Sequence, residues 1–361
     1  MSSEALGHSH DHDHEHEHGH MPFLAHHFDD PEQQFDSGKL GMWLFLVTEI
    51  LFFSGMFCAY ALYRSLHPEV FMFSSRYLNA TLGAINTGVL LFSSLSMAWG
   101  VRCAQLRQRT GLVIALAVTL GCASIFLGVK AIEYSHKWGL GLLPAGEYHI
   151  QSDPIAEAHQ ISQDWLIRFS AIPAVAALGF AVWWLSARAK GDTRTAEVAG
   201  PLFVTALCYF VGVGIGLAVE GGGESHDAGH GDPHAAVVEE HGHSHPGEEA
   251  AADAHNAPAH ADRHIETAST ASADYEPGEP TDKDVDKPGQ AGLFFSIYYC
   301  MTGVHAIHIL GGMLVLTWLL IRATKDHYNE QYFGPVDYVG LYWHLVDLIW
   351  IYLFPLLYLI K

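Results

Sequence analysis

Seven stretches, at residues 40–63, 78–101, 111–134, 164–187, 199–221, 291–321 and 336–360, are apolar runs that approach or exceed the ~20 residues needed to cross a bilayer as a helix rising about 1.5 Å per residue. The predicted fold class is therefore all-α: an integral membrane bundle of about seven transmembrane helices. Half of the 361 residues are hydrophobic, yet the formal charge is −21. That charge is localised, because 9 of the 39 acids lie in residues 1–36 and 16 in residues 224–290, with only Arg263, Lys283 and Lys287 as bases there. The remainder is close to neutral.

The chain thus divides into a tail rich in His and acids (1–38), spans one to three (39–140), a segment holding spans four and five (141–223), a second stretch rich in His and acids (224–290), and spans six and seven (291–361). Tail and loop carry too few large apolar residues to form a core, and both are expected to be disordered. No basic region precedes the first apolar run, so no cleaved signal peptide is expected. Short loops rich in Lys and Arg tend to stay cytoplasmic. Arg102, Arg107 and Arg109, then Arg188, Lys190 and Arg194, then Arg322 and Lys325 fall in alternate connections, which predicts a cytoplasmic N-terminus and an external C-terminus. Lys130 and Lys137 are mild exceptions near the outer boundary.

The tail segment GHSHDHDHEHEHGH places His10, His12, His14, His16 and His18 among acids, and HGHSH places His241, His243 and His245 in the second stretch. Neutral imidazoles bind Zn, Cu and Ni, so adventitious divalent metal binding is expected there, on otherwise solvated segments. Cys58, Cys103, Cys122, Cys208 and Cys300 lie in or at the edges of spans without a CxxC pair, and read as apolar packing residues. No phosphate-binding loop, dinucleotide fingerprint or nucleophile elbow is present, and no catalytic residue and no nucleic-acid partner is expected.

Ionisable groups inside spans are the candidate functional residues, since a charge at the bilayer centre costs ~3 kcal/mol on insertion scales and normally faces protein or water. Glu49 lies near the middle of span one. Lys130 and Glu133 are one turn apart near the outer end of span three, spaced to pair with each other. His305 and His308 share a face of span six, and His344 and Asp347 lie one turn apart in span seven. Glu49, the span-six histidines and the span-seven pair match in depth and can meet at one level. Such a cluster fits a proton path, a lipid head group or a partner subunit; equally, His344 and Asp347 can satisfy each other and lock the packing. A metal held by His305 and His308 would need Glu49, Asp347 or His344 from another helix, and no metal ligand set is assigned.

Five ordered motifs carry a resemblance: GMWLFLVTEILFFSGMFCAY at 41–60, LGAINTGVLLFSS at 82–94, IFLGVKAIEYS at 125–135, TGVHAIHILGG at 302–312 and YWHLVDLIWIYLF at 342–354. Together they resemble subunit III of haem-copper cytochrome oxidases. The resemblance implies an accessory subunit without a redox centre of its own. It would pack directly on subunit I, in one complex with subunit II, with haem and copper in those partners and phospholipid bound. It also implies supporting roles for Glu49, Glu133, His305, His308, His344 and Asp347, in proton uptake and in protecting the oxygen-reducing centre, and a place in the bacterial plasma membrane. Family members have either five spans or two further ones at the N-terminus, whereas this chain inserts residues of about 140–290. The expected arrangement is a five-helix core plus an inserted pair that fills the space of the missing N-terminal helices and walls a lipid cleft. A quinol oxidase or nitric oxide reductase component is the neighbouring alternative, and a divalent-metal transporter the alternative of another class.

Overall fold

In the computed structural model, residues 28–143, 155–227, 288–328 and 332–360 are described. They form eight helices: α1 (Pro31–Leu66), α2 (Pro68–Ser75), α3 (Ala80–Gln105), α4 (Arg109–Gly139), α5 (Ile155–Ala189), α6 (Thr193–Asp227), α7 (Pro288–Thr324) and α8 (Gly334–Tyr358). All but α2 contain a stretch long and apolar enough to cross a membrane. In hydrocarbon every backbone polar group must be satisfied within its own segment, which is why these runs are helical throughout. The protein is an all-α, multi-pass membrane bundle. Residues 1–221 and 288–361 form one compact unit; of the second, 222–287, only the helical end of α6 is described.

Four elements differ from the sequence expectation, α6 and α7 because their ends at Asp227 and Pro288 run as helix into residues 224–290, expected to be disordered, and α1 and α2 as follows. α1 begins at Pro31, inside the segment expected to be an unstructured tail, because Asp30 caps it by accepting from the Gln33 N–H at 2.7 Å and Pro31 suits the first helical position. Phe35 then packs against Phe333 and Tyr338, and Lys39 approaches Asp337 at 3.6 Å, which holds this added turn to the start of α8. α2 has eight residues, too few for an apolar-length criterion to detect. Phe71 on α2 is fully buried between Tyr60 of α1 and Phe294 of α7.

α4 is the hub. Sixty-seven per cent of its most apolar stretch is buried, against 11% for α1 and 6% for α5. On one side α3 runs along it, with Gly100 against Ala115 and Ser96 hydrogen-bonded to Thr119 at 2.7 Å. α7 and α8 close over it through Tyr134 with Thr302, at 2.6 Å, and Phe126 with Trp350. α8 is pinned to α3 by two indole N–H donors, Trp343 to Ser93 at 2.8 Å and Trp350 to Thr87 at 3.1 Å. α1 lies against α8, where the Tyr60 hydroxyl donates to the Leu356 carbonyl.

The inserted pair packs on α4. A Cβ on Gly128 would sit 2.2 Å from the Tyr209 carbonyl oxygen, and one on Gly212 equally close to the Ile125 carbonyl, so α4 and α6 touch backbone to backbone. Small residues permit such close crossings between membrane helices. α5 adds Trp165 and Phe169 against Trp138.

Candidate functional site

Glu133 anchors the largest buried polar group in the described residues. Lys130, Glu133 and Lys137 follow at i, i+3 and i+7, which sets them on one helical face, and that face of α4 meets Tyr298 of α7 and Tyr358 of α8. The Lys130 ammonium donates to Glu133 Oε2 at 2.7 Å and to the Tyr358 hydroxyl at 2.6 Å, with the Tyr298 hydroxyl at 3.3 Å. Glu133 Oε1 accepts from Lys137 at 2.8 Å, Tyr298 at 2.7 Å and Tyr358 at 2.6 Å. All three charged residues are at most 4% exposed. Lys130 also lies 4.8 Å from the Trp350 ring centre, where the ring face attracts a cation. Two cations and one anion therefore tie three helices together at one point. The expected Lys130–Glu133 pair is present; Lys137, Tyr298 and Tyr358 join it from positions the sequence reading did not connect.

Glu49 and His308 meet across α1 and α7, with Glu49 Oε2 and His308 Nε2 2.9 Å apart and each side chain about a fifth exposed. His308 Nδ1 lies 2.8 Å from the Val304 carbonyl, so the ring is held between a backbone acceptor on its own helix and the Glu49 carboxylate of α1. Phe53 stands edge-on to the imidazole at 5.1 Å and Tyr342 donates to the His308 carbonyl at 2.9 Å, which fixes the ring.

The remaining residues do not join this pair. His305 is fully buried, stacked on Trp350 at 5.3 Å and edge-on to Phe126 at 5.6 Å, and neither ring nitrogen has a partner among the described residues. His305 and His308 were expected to share a face. Three residues turn a helix by about 300°, leaving side chains about 60° apart, and because α7 lies between α1 and α4 that angle sends one to each neighbour. His344 and Asp347 do not satisfy each other either: His344 Nδ1 is 2.6 Å from the Ser94 hydroxyl of α3. Asp347, 2% exposed, lies beside the same Ser94, and neither of its oxygens reaches hydrogen-bond geometry among the described residues. The single depth-matched cluster expected from the sequence is thus three separate sites, with Glu133 in a fourth.

Among the described residues no three His, Cys, Asp or Glu side chains converge as a metal site, and the five cysteines are free. His10, His12, His14, His16, His18, His241, His243 and His245 lie outside the described residues. Ser94, Tyr298 and Tyr358 gave no sequence signal, since a hydroxyl in an apolar span looks the same whether it faces a partner or packs alone. Lys137 did give one, four residues beyond Glu133.

Helix number, hydrophobic length and polar groups paired across helices define a multi-pass membrane bundle. The family model for cytochrome c oxidase subunit III matches residues 32–138 and 290–361, and the chain belongs to that family. The unmatched residues between the two segments hold α5, α6 and the second His-rich stretch. Among its relatives, cytochrome c oxidase subunit 3 of Thermostichus vulcanus is 39% identical over 72 residues, 20% of this chain and 36% of that protein. Cytochrome c oxidase subunit 3 of Synechocystis sp. is 41% identical over 69 residues, 19% of this chain and 30% of that one. A protein of Aeropyrum pernix described as heme-copper oxidase subunit I+III is 38% identical over 71 residues, 19% of this chain and 9% of its own length. The matched stretches thus span about a third or less of these relatives' lengths.

Proposed function

We propose that this chain is the accessory, non-catalytic subunit III of a proton-pumping haem-copper terminal oxidase that passes electrons from cytochrome c to O2 and forms water. The observation that carries this reading is that the two family-matched segments, far apart in sequence, fold into one bundle whose polar contacts cross from the first segment to the second: Glu49 to His308, Lys130 and Glu133 to Tyr298 and Tyr358, Ser94 to His344. In this reading haem and copper reside in subunits I and II, and this chain stabilises subunit I and binds phospholipid. The Aeropyrum pernix relative named for a fused subunit I+III supports direct contact with subunit I. The contact between Glu49 and His308 supports a role in feeding proton uptake. The chain sits in a bacterial plasma membrane with a cytoplasmic N-terminus and an external C-terminus, as its Arg and Lys distribution favours.

Purification in mild detergent tests the assignment. A haem-bearing subunit I is expected to co-purify; divalent-metal flux by this chain alone in liposomes would overturn the reading in favour of a transporter. A copper-binding subunit II in the same preparation is expected for cytochrome c as donor, and its absence points to a quinol oxidase or nitric oxide reductase. Glu49→Ala and Asp347→Asn are each expected to leave haem spectra intact and to shorten the enzyme's active lifetime during turnover severalfold. An unchanged lifetime in both variants would remove the supporting role of these residues.

A further inference from the structure

We propose that the lipid-facing seam between α3 and α8 binds the head of an isoprenoid quinone near mid-membrane, with His344 and Ser94 as its polar contacts. This site stands on its own geometry and does not depend on the oxidase reading.

α3 and α8 lie side by side in opposite directions, as the bonds from Trp343 to Ser93 and from Trp350 to Thr87 show. On the outer side of the seam the Ser94 hydroxyl and His344 Nδ1 meet at 2.6 Å, and both side chains are only half-buried. The ring is rigid, so Nε2 stands clear of that contact, and it has no hydrogen-bond partner among the described residues. The other two histidines of α7 and α8 differ. His308 commits its Nε2 to Glu49, and His305 is fully buried, out of reach of any ligand. Behind Ser94 the Asp347 carboxylate, 2% exposed, also lacks a hydrogen-bond partner among the described residues, so polar demand at this level exceeds what the two helices supply.

Depth decides the class of ligand. His344 lies ten residues past Gly334, the start of α8, which is about 15 Å along the axis and near the middle of a hydrocarbon layer ~30 Å thick. The phosphate and ester groups of phospholipids stand at the edges of that layer and water is scarce within it, so an unmet ring nitrogen there is costly. Its partner must carry a hydrogen-bonding oxygen and still dissolve in hydrocarbon. A quinone does, with two ring oxygens on an isoprenoid tail. Nε2 suits both of its states, because an imidazole nitrogen can donate to a quinone carbonyl or accept from a quinol hydroxyl. The tail has a path as well. Leu91 and Gly88 lie one and two turns from Ser94 on α3, Leu348 and Ile351 one and two turns from His344 on α8, and all four are exposed. A Cβ on Gly88 would meet nothing within 4 Å, which leaves open space along this apolar strip.

The test uses the full chain in phosphatidylcholine nanodiscs with a photoreactive azido-ubiquinone, followed after illumination by mass spectrometry of the labelled peptides. Label is expected on α3 and α8 around Ser94 and His344. Excess unlabelled ubiquinone is expected to remove it, and an isoprenoid hydrocarbon of the same length is not. His344→Leu is expected to lower the labelling about tenfold, the scale of one lost hydrogen bond to a ligand. Leu178→Ala, on the exposed face of α5, is the control and is expected to leave the labelling unchanged. His344→Gln guards against misfolding, since its amide still offers a donor and an acceptor: labelling well above that of the leucine variant supports the site, and labelling as low overturns it. Equal labelling of parent and His344→Leu, or equal competition by the hydrocarbon, overturns the proposal. So does labelling that the isolated chain shows and that disappears when a partner subunit co-purifies, because the seam then belongs to that partner.

Discussion

Glu133→Ala is expected to destabilise the bundle by about 3–5 kcal/mol, the usual cost of removing one member of a buried ionic group and leaving its partners uncompensated. The reason is the count of charges around it. Lys130 and Lys137 both rest on this carboxylate, and Tyr298 and Tyr358 both donate to it, so one substitution strands two buried ammonium groups and removes the acceptor of two hydroxyls. Unfolding by denaturing detergent, followed by tryptophan fluorescence, measures the loss. A triple variant, Glu133→Leu with Lys130→Met and Lys137→Met, is expected to recover most of it, because replacing a whole buried ionic set by apolar residues of similar volume is often neutral. A Glu133→Ala protein as stable as the parent would show that the network contributes specificity of packing and little stability.

Gly128→Leu is expected to separate α6 from α4. Its Cβ would meet the Tyr209 carbonyl at 2.2 Å and the Val213 nitrogen at 2.9 Å, both backbone atoms that cannot rotate away, and the reciprocal contact of Gly212 with Ile125 is as tight. Overpacking a core costs about 1–3 kcal/mol where side chains can shift, and here a helix must move instead. The expected result is lower stability together with new protease sensitivity in the α5–α6 connection. Gly214→Leu is the control: it lies on α6, two residues from Gly212, with nothing within 4 Å of its Cβ, and is expected to change neither. Equal behaviour of the two variants would mean that the close crossing is not required.

The spans were legible from the sequence because the property that makes them, uninterrupted apolar length, is local. So was the Lys130–Glu133 pair, where a three-residue spacing on one helix leaves little choice of geometry. Depth could also be counted along each span, and depth correctly made Glu49 and His308 possible partners. What depth cannot supply is azimuth. His305 and His308, equal in type and nearly in level, part company because α7 is wedged between α1 and α4, and His344 turns to Ser94 of α3 rather than to Asp347 one turn along. The same limit hid Tyr298 and Tyr358, and it hid the neighbour of the inserted helices, which rests on Gly128 and Gly212 approaching each other.

The sequence by itself determined that this chain spans the membrane about seven times, which of its residues are costly to hold there, and, through ordered motifs, the family to which it belongs. The tertiary structure alone decided which of those residues meet. Hydrophobic length and residue spacing act within one helix, whereas the rotation of each helix about its own axis is set by glycines, indoles and ring contacts supplied by other helices far away in the chain.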